Sequence, residues 1–120
     1  MSKRKYPEQL TFRYLGFDWT IKFIDIETSD FGETDTDQKE VRIYYKNRSK
    51  QNVVETLLHE LQHVVMFELS DSIFNHETES LSKREENLIR LTSPRVFAIL
   101  RDNMKLMDFI VKKIKELDKE

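Results

Sequence analysis

The sequence contains no cysteine, only two glycines and two prolines, and three histidines in 120 residues. Without cysteine there can be no disulfide scaffold, thiolate zinc finger, iron–sulfur site or thiol nucleophile, and a reducing compartment is favoured. The net charge of −2 gives no reason to expect non-specific binding of nucleic acid, which needs a net basic face. No stretch approaches the roughly 18 uninterrupted apolar residues of a membrane span. We therefore expect a cytoplasmic protein with neither nucleic-acid nor membrane partners.

The composition does contain enough apolar material for one core. Hydrophobic residues make up 38% of the chain and aromatic residues 11%, which argues against disorder. Domains usually hold about 100–200 residues, so we predict a single domain spanning 1–120. The basic residues at the start precede a polar segment instead of an apolar one, so we do not expect them to form a signal peptide. Residues 1–8 are predicted to be a flexible tail.

The first third of the chain alternates apolar and polar residues as β-strands do. Alternating segments at 10–14 and 17–23 flank Leu15-Gly16, which predicts two half-buried strands joined by a tight turn. Residues 27–40 are polar and acidic and are predicted to form a loop. A third strand is predicted at 41–46.

After Ser49 the apolar residues follow a helical period. Between 53 and 65 they cover most of the helix circumference, which predicts a largely buried helix with Ser49 as its N-cap. Residues 70–80 are predicted to be a connection, and a second helix to begin near Ser82 and to kink or restart at Pro94. An amphipathic helix ends the chain. Strands followed by helices predict an α+β fold, with a three-stranded antiparallel or mixed sheet packed on the helices.

Two of the three histidines lie in His59-Glu60-Leu61-Gln62-His63, an H-E-x-x-H sequence within the predicted buried helix. Residues four apart lie on one helical face, so both imidazoles can reach the same ion. Imidazole nitrogen binds zinc at about 2.0–2.1 Å. From its place beside His59, the Glu60 carboxylate can take a proton from a water that the metal activates and pass it to a leaving amine. The pattern predicts Zn²⁺ on His59 and His63, with Glu60 as the general base.

The alternative interpretation is that these three residues pack in the core or face solvent without a metal. Burying two histidines and a glutamate side by side without partners would cost several kcal/mol, and a metal removes that cost. We therefore favour the metal site.

A catalytic zinc usually has three protein ligands and a water, so a third ligand is expected after His63. In a chain without cysteine the third ligand is a carboxylate or His76. Three candidates fall in the predicted polar connection, where we expect them to be solvated: His76, Glu77 and Glu79. Two more, Glu85 and Glu86, lie on the second predicted helix. Glu86 shares its face with the small Ser93 and is preferred; Glu85 is the alternative third ligand.

The segment Leu57-Leu58-His59-Glu60-Leu61-Gln62-His63-Val64-Val65, with strands before it and a glutamate on a second helix after it, resembles the zincin metallopeptidases. The chain is similar to small single-domain HExxH proteins of bacteria and bacteriophages, near the ImmA/IrrE-like and SprT-like groups. The similarity is loose over residues 10–107 and specific only in the motif. It implies a minimal zincin-like fold, with zinc on His59, His63 and a downstream glutamate. It also implies that the strand at 41–46 is the sheet edge that pairs with an extended substrate.

The sequence departs from the best-known zincin branches. His63 is not followed by the Gly-x-x-His of metzincins, and the downstream glutamate lacks the Asn-Glu-x-x-x-Asp setting of thermolysin-like enzymes. Tyr44 and Tyr45 are candidates for the transition-state stabiliser by proximity in sequence, with packing or cross-strand pairing as the alternative. We predict a zinc-dependent metallopeptidase acting on an intracellular protein or peptide. The alternative function is a non-catalytic or weakly catalytic metal-binding regulatory protein on the same fold.

Overall fold

A computed structural model describes the backbone of residues 5–74 and 81–117 and, outside 70–74, 81 and 82, their side chains. Strands occupy the first part of the chain and helices the rest, as the sequence predicts. The elements are β1 (Gln9–Tyr14), β2 (Phe17–Ile24), β3 (Gly32–Asp35), β4 (Glu40–Tyr44), α1 (Lys50–Phe74), α2 (Leu81–Asp102) and α3 (Met104–Leu117).

The strands form one mixed sheet in the order β1-β2-β4-β3. β1 and β2 pair antiparallel, β2 and β4 pair parallel, and β3 runs antiparallel to β4. The predicted α+β class is therefore confirmed, and the sheet is the mixed alternative. Among the described helices, none is long and apolar enough to cross a bilayer.

Two sequence-based predictions are wrong at β3. Residues 27–40 were expected to be a loop and the sheet to have three strands, but 32–35 form a fourth strand. The segment Gly-Glu-Thr-Asp carries no apolar side chain, so its strand conformation depends on pairing with β4 and contact with α1, which local alternation does not reveal. As a result β4 lies inside the sheet, and the edge next to α1 is β3.

The tight turn predicted between the first two strands is confirmed. Tyr14 pairs with Phe17, leaving Leu15 and Gly16 as a two-residue loop with φ values of 51° and 82°. Positive φ at both central positions is the geometry of a type I′ turn, which matches the twist of a hairpin.

The core lies between one face of the sheet and the helices. Alternate residues of β2 and β4 point into it, including Trp19, Ile21 and Ile43. α1 covers this face with buried apolar residues one turn apart, and α2 and α3 each add buried residues. The helical core residues are Val53, Val54, Leu57, Leu61, Val64, Val65, Leu69, Ile99, Leu106 and Ile110.

The N-terminal segment is more ordered than the sequence suggests. Tyr6 is 4% exposed, and its ring lies 5.6 Å from that of Phe23 and 4.7 Å from that of Tyr45. The Lys113 ammonium lies over the Tyr6 ring and donates a hydrogen bond to the Lys5 carbonyl. The flexible tail predicted for residues 1–8 is therefore too long, because an aromatic cluster fixes Tyr6; residues 1–4 lie outside the described part.

α1 begins where the sequence predicts and extends further than expected. The Ser49 hydroxyl accepts a hydrogen bond from the Asn52 N–H at 3.1 Å, which confirms the N-cap. The helix continues to Phe74, so 70–74 of the connection predicted at 70–80 are helical, and 75–80 lie outside the described residues.

α2 does not restart at Pro94 but runs unbroken to Asp102. Side chains next to the proline add hydrogen bonds to carbonyls one turn upstream: Thr92 donates to Leu88 at 2.8 Å and Arg95 to Leu91 at 2.9 Å. The carbonyl that loses its backbone donor at the proline is that of Arg90, four residues upstream.

The break between α2 and α3 falls at Asn103, whose side chain holds the edge strand β1. The Asn103 amide donates to the Arg13 carbonyl at 3.0 Å, and its oxygen accepts from the Arg13 N–H at 2.7 Å. The same amide nitrogen donates to the Ile99 carbonyl at 2.7 Å. One side chain thus joins the end of α2 to the outer backbone of β1.

Candidate metal centre

The H-E-x-x-H residues lie on α1 at the border between its buried and exposed faces. Leu57, Leu61 and Val64 point into the core, whereas His59 and His63 are exposed; the His59 side chain is 67% exposed. Glu60 is buried at 6% exposure. When the aliphatic face of a helix packs in the core, residues beside that face lie at the boundary with solvent. The two imidazoles lie at this boundary of α1.

The two imidazoles converge on one point. His59 Nε2 and His63 Nε2 are 3.1 Å apart, and the rings meet edge to face at 76°. With one oxygen of Glu60, their ligand atoms all lie within 4.8 Å of one another. We call His59, Glu60 and His63 the His-Glu-His cluster. The structure therefore brings together the three motif residues that the sequence singles out.

The Glu60 carboxylate has two unlike oxygens. Oε1 accepts a hydrogen bond from the Thr34 hydroxyl at 2.7 Å, across from β3. Oε2 lies 4.0 Å from His59 Nε2. The carboxylate is thus held by its far oxygen and directs the other toward the imidazoles.

β3 lies against α1 at this point because Gly32 has no side chain. A Cβ there would be 2.9 Å from Thr56 Cγ2, 2.9 Å from the Arg42 carbonyl oxygen and 3.2 Å from Glu60 Cγ. Contacts this short do not occur without displacement of the neighbours, two of which belong to α1. Gly32 therefore sets the close approach of the edge strand to Glu60.

A groove runs between β3 and α1 and contains the cluster. The part over the two imidazoles has a cavity volume of about 600 Å³, and a second part of about 410 Å³ adjoins it over His59 and Glu60. Its walls are the edge strand on one side and α1 on the other, with aromatic side chains in each part. Residues beyond the cluster that line it include Phe31, Gly32, Thr34, Thr36, Thr56, Met66 and Phe67.

Ionic contacts on the opposite face of the sheet hold β3 in place. Arg42 on β4 forms ion pairs with Glu33 and Asp35 on β3. The hydrogen bonds from Tyr44 and Arg42 lower the pKa of Glu33, and burial together with the bond to Glu33 raises the pKa of Tyr44 to about 12. The polar side of β3 is thus tied to β4, leaving Gly32 and Thr34 toward α1.

The tyrosines considered as transition-state stabilisers pack elsewhere. Tyr44 donates to Glu33 on the face away from α1, and Tyr45 packs on Tyr6. The structure therefore agrees with the alternative interpretation: Tyr44 pairs across strands and Tyr45 packs in an aromatic cluster.

The candidate third ligands are not part of the cluster among the described residues. Glu85 and Glu86 are exposed on α2, and the described residues form a single group able to hold an ion, which contains neither. His76, Glu77 and Glu79 lie outside the described residues. The third ligand stays a prediction.

Sequence reasoning missed Gly32 and Thr34 as site residues. They contact the cluster from a strand about 26 residues upstream, and the hydroxyl–carboxylate bond between Thr34 and Glu60 has no local signature. The signal that could have found them is the period of two in 32–35, which places Gly32 and Thr34 on one face and two acidic residues on the other.

The fold and the cluster together define an α+β protein with a candidate metal centre in an open groove. No protein-family model, curated protein or solved structure matches the chain. Its function therefore has to be inferred from the residues of the groove themselves.

Proposed function

We propose that this protein is a zinc-dependent metallopeptidase with a minimal zincin-like fold, which hydrolyses peptide bonds of a protein or peptide substrate. The observation that carries the proposal is the convergence of His59 Nε2 and His63 Nε2 at 3.1 Å beside a buried, oriented glutamate. His59 and His63 act as metal ligands and Glu60 as the general base.

The donor set fits a zinc ion. Two nitrogens bound at about 2.0–2.1 Å to a tetrahedral ion lie about 3.3–3.4 Å apart, close to the 3.1 Å between the two imidazole nitrogens. Both imidazoles face an open groove, as a catalytic site requires for a substrate to enter. When bound, zinc supplies a Lewis acid that polarises a carbonyl and lowers the pKa of water.

Residues of the chain itself supply the proton transfer and the binding of substrate. Glu60 lines the groove, and its Oε2, the oxygen not bonded to Thr34, lies 4.0 Å from His59 Nε2; this oxygen accepts a proton from the attacking water and returns it to the leaving amine. Burial of the carboxylate keeps this proton transfer away from bulk solvent. The walls of the groove orient the substrate.

The edge strand offers the means to bind an extended peptide. In the described sheet β3 has a partner on one side only, and the groove runs along it. Backbone groups of an unpaired edge can hydrogen-bond a peptide that adds as a further strand. Here β3 takes the substrate-binding role that the resemblance assigned to the strand at 41–46.

Zinc content is the first test. We expect about one zinc per chain in protein purified at pH 7, measured by elemental analysis. We also expect a chelator to abolish cleavage of a mixed fluorogenic peptide library, and added zinc to restore it. Absence of stoichiometric zinc would contradict the proposal. Zinc without any cleavage would favour the non-catalytic metal-binding alternative.

For the third ligand we propose Glu86 on α2. Glu86 shares its face of α2 with Ser93 and Val96, and both of these line a cavity between α2 and α1. Glu85 shares its face with Leu88 and Thr92, which line the same cavity. The lining of this cavity includes neither glutamate and neither imidazole, so the choice of Glu86 follows from its place in the sequence and not from a contact with the cluster.

Paired substitutions distinguish these carboxylates. Glu86→Ala is expected to weaken zinc binding by about 100-fold, since even partners outside the ligand shell contribute 10–100-fold, whereas Glu85→Ala should leave it within about threefold. Competition with a fluorescent zinc chelator measures both. The reverse result would assign Glu85, and loss only in His76→Ala would overturn both.

A further inference from the structure

Glu60 is a buried carboxylate whose hydrogen-bond partner comes from a different element. The Thr34 hydroxyl is 2.7 Å from Oε1 and 3.4 Å from the Glu60 main-chain carbonyl oxygen. A hydroxyl has one proton to donate, and the shorter distance to the carboxylate identifies its acceptor. A hydrogen bond to a buried side chain is costly to leave unmade, so this contact restricts the Glu60 side chain.

The position of Thr34 is fixed from both sides of β3. On the side of α1, Gly32 allows the strand to approach until no room for a Cβ is left. On the other side, Arg42 pairs with Glu33 and Asp35, the neighbours of Thr34 in the strand. The hydroxyl is therefore presented from a strand that cannot easily shift relative to α1.

We propose that Thr34 is a positioning residue for catalysis, which holds Oε1 of Glu60 so that Oε2 faces the substrate-binding groove. The inference rests on the proposed function. Without the hydroxyl, the carboxylate can rotate and lose the orientation in which Oε2 lies 4.0 Å from His59 Nε2. This rotation withdraws the base from the position where it meets the water.

Kinetics of Thr34 variants test this role. Thr34→Val, which keeps the shape and removes the hydroxyl, is expected to lower kcat by about 10–100-fold, the range that a misplacement of about 1 Å produces. KM and zinc affinity should stay within about threefold of wild type, because valine keeps the size of the side chain that lines the groove and the imidazoles are not altered. Thr34→Ser should recover most of kcat. Thr20→Val is the matched control, because Thr20 lies on the face of β2 that points away from the core. Its kcat and KM should equal those of the wild type.

A thermal-unfolding cycle tests the contact itself in zinc-free protein. Thr34→Val should lower Tm by a few degrees in the wild-type background and cause almost no further change in Glu60→Ala, because the acceptor is then already missing. Additive Tm changes, or a Thr34→Val enzyme with wild-type kcat, would overturn the positioning role. If the wild-type protein cleaves nothing, the proposed function fails and the catalytic role of Thr34 with it, whereas coupled Tm changes would still identify the hydrogen bond.

Discussion

Glu60→Gln is expected to lower the rate constant for peptide hydrolysis by about 10²–10⁴-fold, the contribution typical of a general base. Glutamine keeps the size of the side chain and can still accept a hydrogen bond from Thr34, but it cannot take a proton from water. Zinc content should be unchanged, because the two imidazoles are not altered. Single-turnover hydrolysis of a fluorogenic peptide and elemental analysis of the same preparation measure both quantities.

Glu55→Gln provides the matched control for this variant. Glu55 is exposed on α1 and lines the same groove, so its substitution removes one negative charge without touching the proposed base. It should retain activity within about twofold of wild type. Equal losses in the two variants would indicate a general effect of charge in the groove and would contradict the role of Glu60. Full activity in Glu60→Gln would exclude it from proton transfer.

His59→Ala is expected to weaken zinc binding by at least about 100-fold and to abolish hydrolysis, while the zinc-free protein keeps its fold. The fold should survive because the side chain is 67% exposed and makes no contribution to the apolar core. Surface substitutions of this kind change the free energy of unfolding by about 0.5 kcal/mol or less. Zinc titration and circular dichroism of the zinc-free protein measure the two effects separately.

Gln62→Ala is the matched control for His59→Ala, since Gln62 is an exposed polar residue of the same helix within the motif. Zinc affinity should be close to wild type in this variant. A different outcome would change the interpretation of the site: if His59→Ala unfolds the protein, the metal is structural. Together with full function in Glu60→Gln, that result would contradict the enzyme proposal and favour a metal-stabilised regulatory protein.

The parts of the fold that could be predicted are those whose signal is local. β1 and β2 alternate apolar and polar residues on both sides of Leu15-Gly16, and α1 has its cap at Ser49. β3 could not be predicted, because a polar tetrapeptide becomes a strand only through β4 and α1. The continuity of α2 through Pro94 likewise could not be predicted, because a proline favours the end or restart of a helix in local sequence rules.

The candidate site divides in the same way. A spacing of four on one helix was sufficient to predict that His59 and His63 converge, because helix geometry alone determines it. The contact of Thr34 with Glu60 joins two elements, and its prediction would have required the position of β3 in the sheet. Both carboxylates proposed as third ligand belong to a further element, α2, and for that reason neither periodicity nor spacing could separate Glu85 from Glu86.

The Asn103 side chain protects one edge of the sheet, and charge protects the other. A strand of another molecule that paired with β1 would have to displace an amide already bonded to both backbone groups of Arg13. At β3 no comparable side chain bonds the outer backbone among the described contacts, but the strand is short and contains Glu33 and Asp35. Short, charged edge strands disfavour pairing with the edge of another sheet. We therefore expect both edges of the described sheet to resist pairing with a second copy of the chain, each by a different means.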